Sequence, residues 1–412
     1  MNRYLSVMMD LGHYLVSYDK YIQSFSLLLP NQSNTDNEKG SILSRDPRYR
    51  RSESLPQWMK DYFDWHNEQT KGMNETNLNE NKYLILRCTK KESQCGGLSD
   101  RLKSVPFFIA AAARTKRVFL IRWDRPAKLE EFLLPNEVNW SVPDWMVDKI
   151  DGRNISSQMR RNGLALIKTY KQEQSTVLEG LLQEIHGGSA LYYEVQAELD
   201  NSTDLDANIG GNPGWSMYEN IFHDLFRSLF QPSEPIARLL KRKMEMTNLT
   251  AGQCVSCHHR AFYAVEDQKH KRETQQLRNQ ALNAVNCASM IMPGAPIYFA
   301  SDSKESLQAA REVAVRDHRP IVTTHEDEEE ALHLDRADNW TALDPSKFYP
   351  TFVDLLLMGN ARCTAYGVGG FGRFGALLSY NSTCIIRHVK RPKSETCHWT
   401  DTVTTTQMAN IQ

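Results

Sequence analysis

The stretch from residue 83 to residue 123 constrains the fold of this chain most. Residues 83–87 (YLILR) are a short apolar run with the length of a strand. Gly96 and Gly97 follow as a turn, and Leu102, Val105, Ile109 and Ala112 then recur at helical spacing. Pro106 inside that pattern predicts a kink or a late helix start. Residues 117–123 (RVFLIRW) are a second strand. Strand, glycine turn, helix and strand in that order make a βαβ unit, whose strands run parallel and whose sheet is covered by helices. An α/β protein is therefore expected.

The rest of the chain extends that reading. Its 412 residues suffice for two domains. A second α/β series begins near residue 236, with strands expected at 254–257, 297–300, 321–324 and 363–366 and helices at 304–316, 352–358 and 373–378. Helical stretches are also expected around 157–170 and 216–230. Residues 231–235 (QPSEP) carry two prolines and read as a break, where the domain hinge is placed. Residues 31–80 are rich in Asn, Ser and charged side chains and read as a flexible stem. The expected division is thus a stem-like segment over 1–80, a first domain over 81–234, a second over 235–400 and a tail over 401–412.

Charge excludes one class of partner. With 49 basic and 50 acidic residues the net charge is −1, so no strong field holds a nucleic acid. Eight cysteines are too few for a disulfide scaffold but allow one or two bridges. Apolar stretches before Pro30 are broken by Asp10, Asp19 and Lys20, and no membrane-crossing helix is expected. Asn-x-Ser/Thr sequons stand at Asn31, Asn74, Asn139, Asn154, Asn201, Asn248, Asn339 and Asn381, where chance predicts roughly three. The excess points to a Golgi or ER lumen, with the cytoplasm as the alternative because no signal is visible.

Three constellations carry chemistry. Residues 367–372 (GVGGFG) match G-x-G-x-x-G between a strand and a helix, so that Gly369, Gly370, Phe371 and Gly372 could offer backbone N–H groups to a diphosphate at a helix N-terminus, with Arg373 following. A dinucleotide site needs an acidic residue about 20 positions on, and the region 387–393 supplies only basic ones. A plain structural turn is the other reading. The second constellation is residues 254–260 (CVSCHHR). It is open to three readings: a haem c attachment, a zinc site, or a core strand with two buried thiols whose carboxyl end presents His258 and Arg260 to an anion. A guanidinium there suits two phosphate oxygens. The third is residues 96–102 (GGLSDRL), either an ordinary turn with an N-cap or a loop that sets Asp100 and Arg101 at the mouth of the first sheet. Asp302 and Glu305 have capping-box spacing. The run 326–330 (EDEEE) reads as a solvated face, and Trp123, Trp140, Trp145 and Trp215 as packing residues before sugar platforms.

Taken together these segments resemble the fucosyltransferase superfamily with GT-B architecture. GGLSDRL resembles the motif that opens the catalytic domain of those enzymes. The triplet 258–260 resembles their H-x-R, and residues 298–302 (YFASD) their second motif. Residues 354–358 with 367–379 resemble the third motif, and the order is kept over roughly 82–390. This chain has glycines where the family often has Ser or Thr, and Asp100 where many members have Asn. The resemblance implies two Rossmann-like domains facing a cleft, the first for the acceptor and the second for GDP-fucose. It implies an inverting, metal-independent transfer to a glycan or protein hydroxyl with no cofactor and no metal site. His258, Arg260, Asp302 and residues 369–373 would hold the donor. Arg260 and Asp100 would be catalytic, with Gly96, Gly97 and Arg101 on the acceptor side. A GT-B transferase for another nucleotide sugar, or an inactive glycan-binding relative, are the alternatives.

Overall fold

The computed structural model of the chain describes residues 55–88, 97–102, 105–151, 177–181, 222–261, 274–323, 334, 344–381, 384–388 and 397–399. The expected helix at 157–170, the carboxylate run, Trp215, Gly96 and the tail from 401 lie outside them. Helix α1 (Gln57–Lys71) leads to strand β1 (Lys82–Cys88), helices α2 (Leu98–Leu102) and α3 (Val105–Thr115), and strand β2 (Arg117–Trp123). Strands β3 (Leu133–Pro135) and β4 (Val177–Leu181) follow, with helix α4 (Asp144–Asp151) between them.

Strand β1 is the centre of a parallel sheet ordered β2-β1-β4, with Leu84 opposite both Phe119 and Leu178. Strands buried on both faces can be apolar throughout, and alternation sorts their side chains. Leu84, Leu86, Phe119 and Ile121 join one core with α3, while Tyr83, Ile85, Val118 and Leu120 meet Met146 on the other side. Pro106 is the second residue of α3, where its missing N–H removes no helical bond, so the late start is the one realised.

The stem expectation is corrected over residues 57–71. Met59, Tyr62, Phe63, His66 and Thr70 recur along one face of α1 and are buried. The Tyr62 hydroxyl donates to the Arg117 carbonyl at 2.9 Å and accepts from the Phe119 N–H at 3.2 Å. His66 Nε2 lies 2.8 Å from the Phe119 carbonyl, to which it donates. Strand β2 is an outer strand of the described sheet, and these bonds satisfy its edge at Arg117 and Phe119, next to the Ile121 N–H that donates to the Trp140 carbonyl. The polar composition of 31–80 concealed this apolar stripe.

The break at 231–235 is present, but with a strand beside it. Helix α5 (Phe222–Leu229) ends at strand β5 (Phe230–Pro232), which pairs antiparallel with β3, and helix α6 (Glu234–Thr247) begins with Pro235 in its first turn. Phe222 of α5 meets Phe374 edge-on at 5.3 Å between ring centroids.

The second sheet explains the site. It is built from β6 (Val255–His259), α7 (Thr274–Ile291), β7 (Ile297–Ser301), α8 (Lys304–Arg316), β8 (Ile321–Val322), α9 (Tyr349–Gly359), β9 (Cys363–Tyr366), α10 (Gly370–Leu378), β10 (Ile385–Arg387) and β11 (His398–Trp399). Its order is β11-β10-β9-β6-β7-β8, parallel except for the pairing of β10 with β11. The first strand of the series therefore lies at the middle, the next two run outward on one side, and the two after that on the other. This is the doubly wound nucleotide-binding order, and the crevice above the strand where direction reverses is where such sheets bind ligands. Alternation along β6 packs Val255 and Cys257 with α7 and α8. Arg227 of α5 is buried and donates to the Gly359 carbonyl at 3.3 Å and the Leu378 carbonyl at 3.4 Å. A cation thus sits at the carboxyl ends of both α9 and α10, where the helix dipole favours it. Disulfides join Cys287 to Cys397 and Cys363 to Cys384.

Candidate functional site

Strands β6 and β9 are neighbours at the reversal point, and both end in the residues singled out by motif. Arg260 follows His259 directly, and Gly367 follows Tyr366. The Arg260 Nη1 lies 3.0 Å from Asp302 Oδ2, with the guanidinium 21% exposed and the carboxylate 10% exposed. The same carboxylate accepts the Ala261 N–H at 2.6 Å. Asp302 is therefore not the cap of α8: Ser303 is, accepting from the Ser306 N–H at 3.2 Å and donating to Glu305. The cap is shifted by one residue and forms no capping box, since the residue three on is Ser306, and Asp302 is released to hold Arg260.

The glycine loop closes over these groups. Gly369 has φ +93°, a conformation that L side chains rarely adopt, and it stands at the N-cap of α10. A Cβ on it would lie 3.6 Å from Arg260 Cγ. A Cβ on Gly372 would lie 2.7 Å from His258 Nδ1 and 2.9 Å from Tyr366 Cβ, so the first turn of α10 can press onto the two strand ends only because residue 372 is glycine. Gly370, Phe371 and Arg373 are half-buried along that turn, and the Phe371 ring stands 5.3 Å from the His258 ring. The N–H groups of this turn and the positive end of its dipole thus lie beside Arg260.

His258 is enclosed. Burial, with the charges of Arg260, His259 and His388 adding to it, drives its pKa well below the ordinary 6.5, so the ring is neutral. Its Nδ1 has no hydrogen-bond partner among the described residues. Its neighbour on the strand faces the other way: His259 Nδ1 is 3.0 Å from the Ser306 hydroxyl of α8 and its Nε2 3.4 Å from Gln280 Oε1 of α7. Cys257 shares that second face, and burial pushes the Cys254 thiol up to about 11 and Cys257 higher still. Cys257 and His258 point to opposite sides of the sheet, so the C-x-x-C-H pattern does not converge on one group, and the reading as buried thiols is the one realised.

The first motif reaches the same place with one correction. Helix α2 packs against α10. Gly97 is buried, and Asp100 is placed in α2 by its backbone. Arg101, however, is 0% exposed: its guanidinium lies 4.6 Å over the Trp123 ring and donates to the Arg125 carbonyl. It stands at the carboxyl end of β2, as expected, but buried, and the expectation that it faces a cleft gives way to a role in fixing that strand end. Tyr298 and Asp354, from the second and third motifs, are also buried and bonded to each other, which ties β7 to α9.

Sequence reasoning missed His388. It follows β10, is fully buried, and its Nε2 reaches the His258 carbonyl at 2.9 Å. A polar residue just past the last parallel strand, beside a glycine loop, was the available signal.

No protein-family model and no curated protein matches the chain. Among solved structures, a mutant of Arabidopsis thaliana FUT1 in complex with GDP matches with a TM-score of 0.56 at 12% identity, over 88% of each chain. Fucosyltransferase NodZ from Bradyrhizobium matches with a TM-score of 0.44 at 15% identity, over 75% of this chain and 95% of that one. POFUT1 in complex with GDP matches with a TM-score of 0.36 at 12% identity, over 72% of this chain and 95% of that one. The likeness to FUT1 carries the conclusion about architecture: this chain has the fold of a fucosyltransferase structure, the α/β GT-B class to which its motifs pointed.

Proposed function

We propose that the chain is a glycosyltransferase that moves fucose from GDP-fucose to a hydroxyl of a glycan or protein. One observation carries the reading: Arg260 and the N-terminus of α10 converge at the reversal point of a doubly wound sheet. That arrangement suits a diphosphate, and the FUT1 structure of the same fold holds GDP. In this reading residues 235–400 bind the donor and residues 81–234 the acceptor.

The chemistry follows from where charge develops. The acceptor oxygen bonds to the anomeric carbon as the bond from that carbon to the phosphate oxygen breaks. The acceptor proton passes to a base, for which Asp100 is the candidate, and the configuration inverts. The leaving diphosphate gains charge as the transition state is reached, so fixed positive groups act more strongly there than on the bound substrate. Arg260 and the 369–372 backbone supply those groups without a metal, and Asp302 keeps Arg260 aimed. The Golgi or ER lumen is the proposed compartment. It is supported by the paired cysteines, which persist in oxidising surroundings, and by exposed sequon residues Asn74, Asn139 and Asn248. No helix among the described residues is long and apolar enough to cross a membrane.

Thermal melting with a panel of nucleotides tests the proposal. GDP at 100 times its dissociation constant should stabilise the fold by about 2.7 kcal/mol. Arg260→Ala should abolish that shift while melting normally. Equal shifts with GDP, UDP, ADP and CMP would remove the guanosine assignment, and none at all would remove the donor site.

A further inference from the structure

The space under the glycine loop is filled by a residue that no motif names. His388 emerges from β10, and its ring passes beneath Gly367 to reach β6 on the far side of β9. A Cβ on Gly367 would lie 2.5 Å from His388 Cε1 and 3.0 Å from Nε2, closer than real side-chain carbons approach. The absent side chain of Gly367 and the imidazole of His388 therefore occupy the same volume, one by omission. The residue is held by its ring and by its backbone. Its Nε2–H donates to the His258 carbonyl, two residues before Arg260. Its backbone N–H donates to the Tyr366 carbonyl at 3.0 Å, and its carbonyl accepts from the Asn283 side chain at 3.0 Å.

From this geometry we infer that His388 is a positioning residue for the donor loop: it spans the ends of β10, β9 and β6 and sets the height at which residues 367–372 lie beside Arg260. The inference rests on the reading of that loop as the donor site. A neutral ring suffices, because the carbonyl needs one N–H and the second nitrogen has no partner among the described residues. Burial lowers its pKa to about 4, with His259 and Arg387 adding to the effect. Binding sites tolerate displacements of only about 0.5 Å, so a loop without its support should bind donor poorly while the sheet survives.

A size-compensation series tests this. Four proteins are compared: wild type, His388→Ala, Gly367→Ala, and the double variant. Gly367 does not have positive φ among the described residues, so alanine is excluded there by the imidazole and not by the backbone. Hydrogen exchange of the 367–372 amides and GDP affinity are both measured. Each single variant should exchange about tenfold faster at the loop and bind GDP at least about tenfold more weakly. The double variant should recover part of both, because a methyl group re-enters the space the ring has left while the His258 carbonyl still lacks its donor. His388→Gln, which keeps an amide donor, should lie near wild type. Failure of the double variant to improve on the worse single variant, or faster exchange spread evenly over the sheet, would overturn the inference. If wild type binds no GDP, the proposed function falls, while the exchange measurements still decide the role of His388.

Discussion

Acid should destabilise this protein before its carboxylates titrate. His66 and His388 are both 0% exposed, and burial lowers each pKa from 6.5 to about 4. The folded chain keeps these rings neutral, whereas the unfolded chain protonates them near 6.5. Below that value the unfolded state binds more protons, so their contribution to stability is complete above it and is lost as the pH falls toward 4. At pH 5 each ring has withdrawn about 2 kcal/mol relative to neutral pH. The two together withdraw about 4 kcal/mol, against a typical total of about 5–15 kcal/mol. His258 is shifted in the same direction and adds to the loss. Melting temperatures between pH 7 and 5, in a buffer series of constant ionic strength, should fall by about 5–10 °C. Burial lowers the His223 pKa to about 4 as well, so proton uptake on unfolding at pH 5.5 should be close to three or four per chain, the count that sets the slope. A melting temperature flat to within about 2 °C over that window would show that these rings are hydrated or charged in the fold, and the argument from burial would fail.

Other outcomes follow from single contacts. Arg260→Lys should recover little of the donor affinity lost in Arg260→Ala, because a point charge cannot form two parallel bonds to phosphate; equal binding by the lysine variant would count against a bidentate contact. Asp302→Asn should weaken donor binding, since Asp302 holds both Arg260 and the Ala261 N–H; tighter GDP binding in a titration would show instead that the carboxylate competes with phosphate. Gly375→Ala should destabilise the fold by about 1–3 kcal/mol, because its Cβ would fall 2.9 Å from Met358 Cβ and displace the methionine tip; chemical denaturation measures it.

Much of the sheet was legible because parallel strands buried on both faces are written as apolar runs. Strand β9 falls on the expected residues 363–366, and β2 on 117–123. Strand β6 was placed one residue early and ended too soon, at 257. Its last two positions are His258 and His259, polar residues that a hydropathy pattern assigns to a loop but that the carboxyl end of a strand buries for use. Strand β5 was hidden by Pro232, which can take a place in a two-strand ribbon. The convergence of Arg260 with the glycine loop was implied by the resemblance that the motifs carry. Asp302 was read both as a cap and as a donor ligand; its place as the partner of Arg260 was not foreseen, because sequence spacing cannot distinguish it from Ser303 as the cap. His388 and the inward turn of Arg101 depend on which strands are adjacent, and strand adjacency is not encoded locally.

The bond between Cys287 and Cys397 has a bearing on handling. Strand β11 spans two residues and, among the described residues, pairs only with β10. So short a ribbon has little hold of its own, and the link to α7 keeps it in place. Closing a loop of 110 residues stabilises a fold by about 4–5 kcal/mol in the chain-entropy picture. Under reduction β11 would be free to leave, and β10, with Ile385 and Ile386, would become an open border of the sheet, a template on which other chains can add. Protein made in a reducing host should therefore be prone to self-association, and thiol reagents should be kept from its purification.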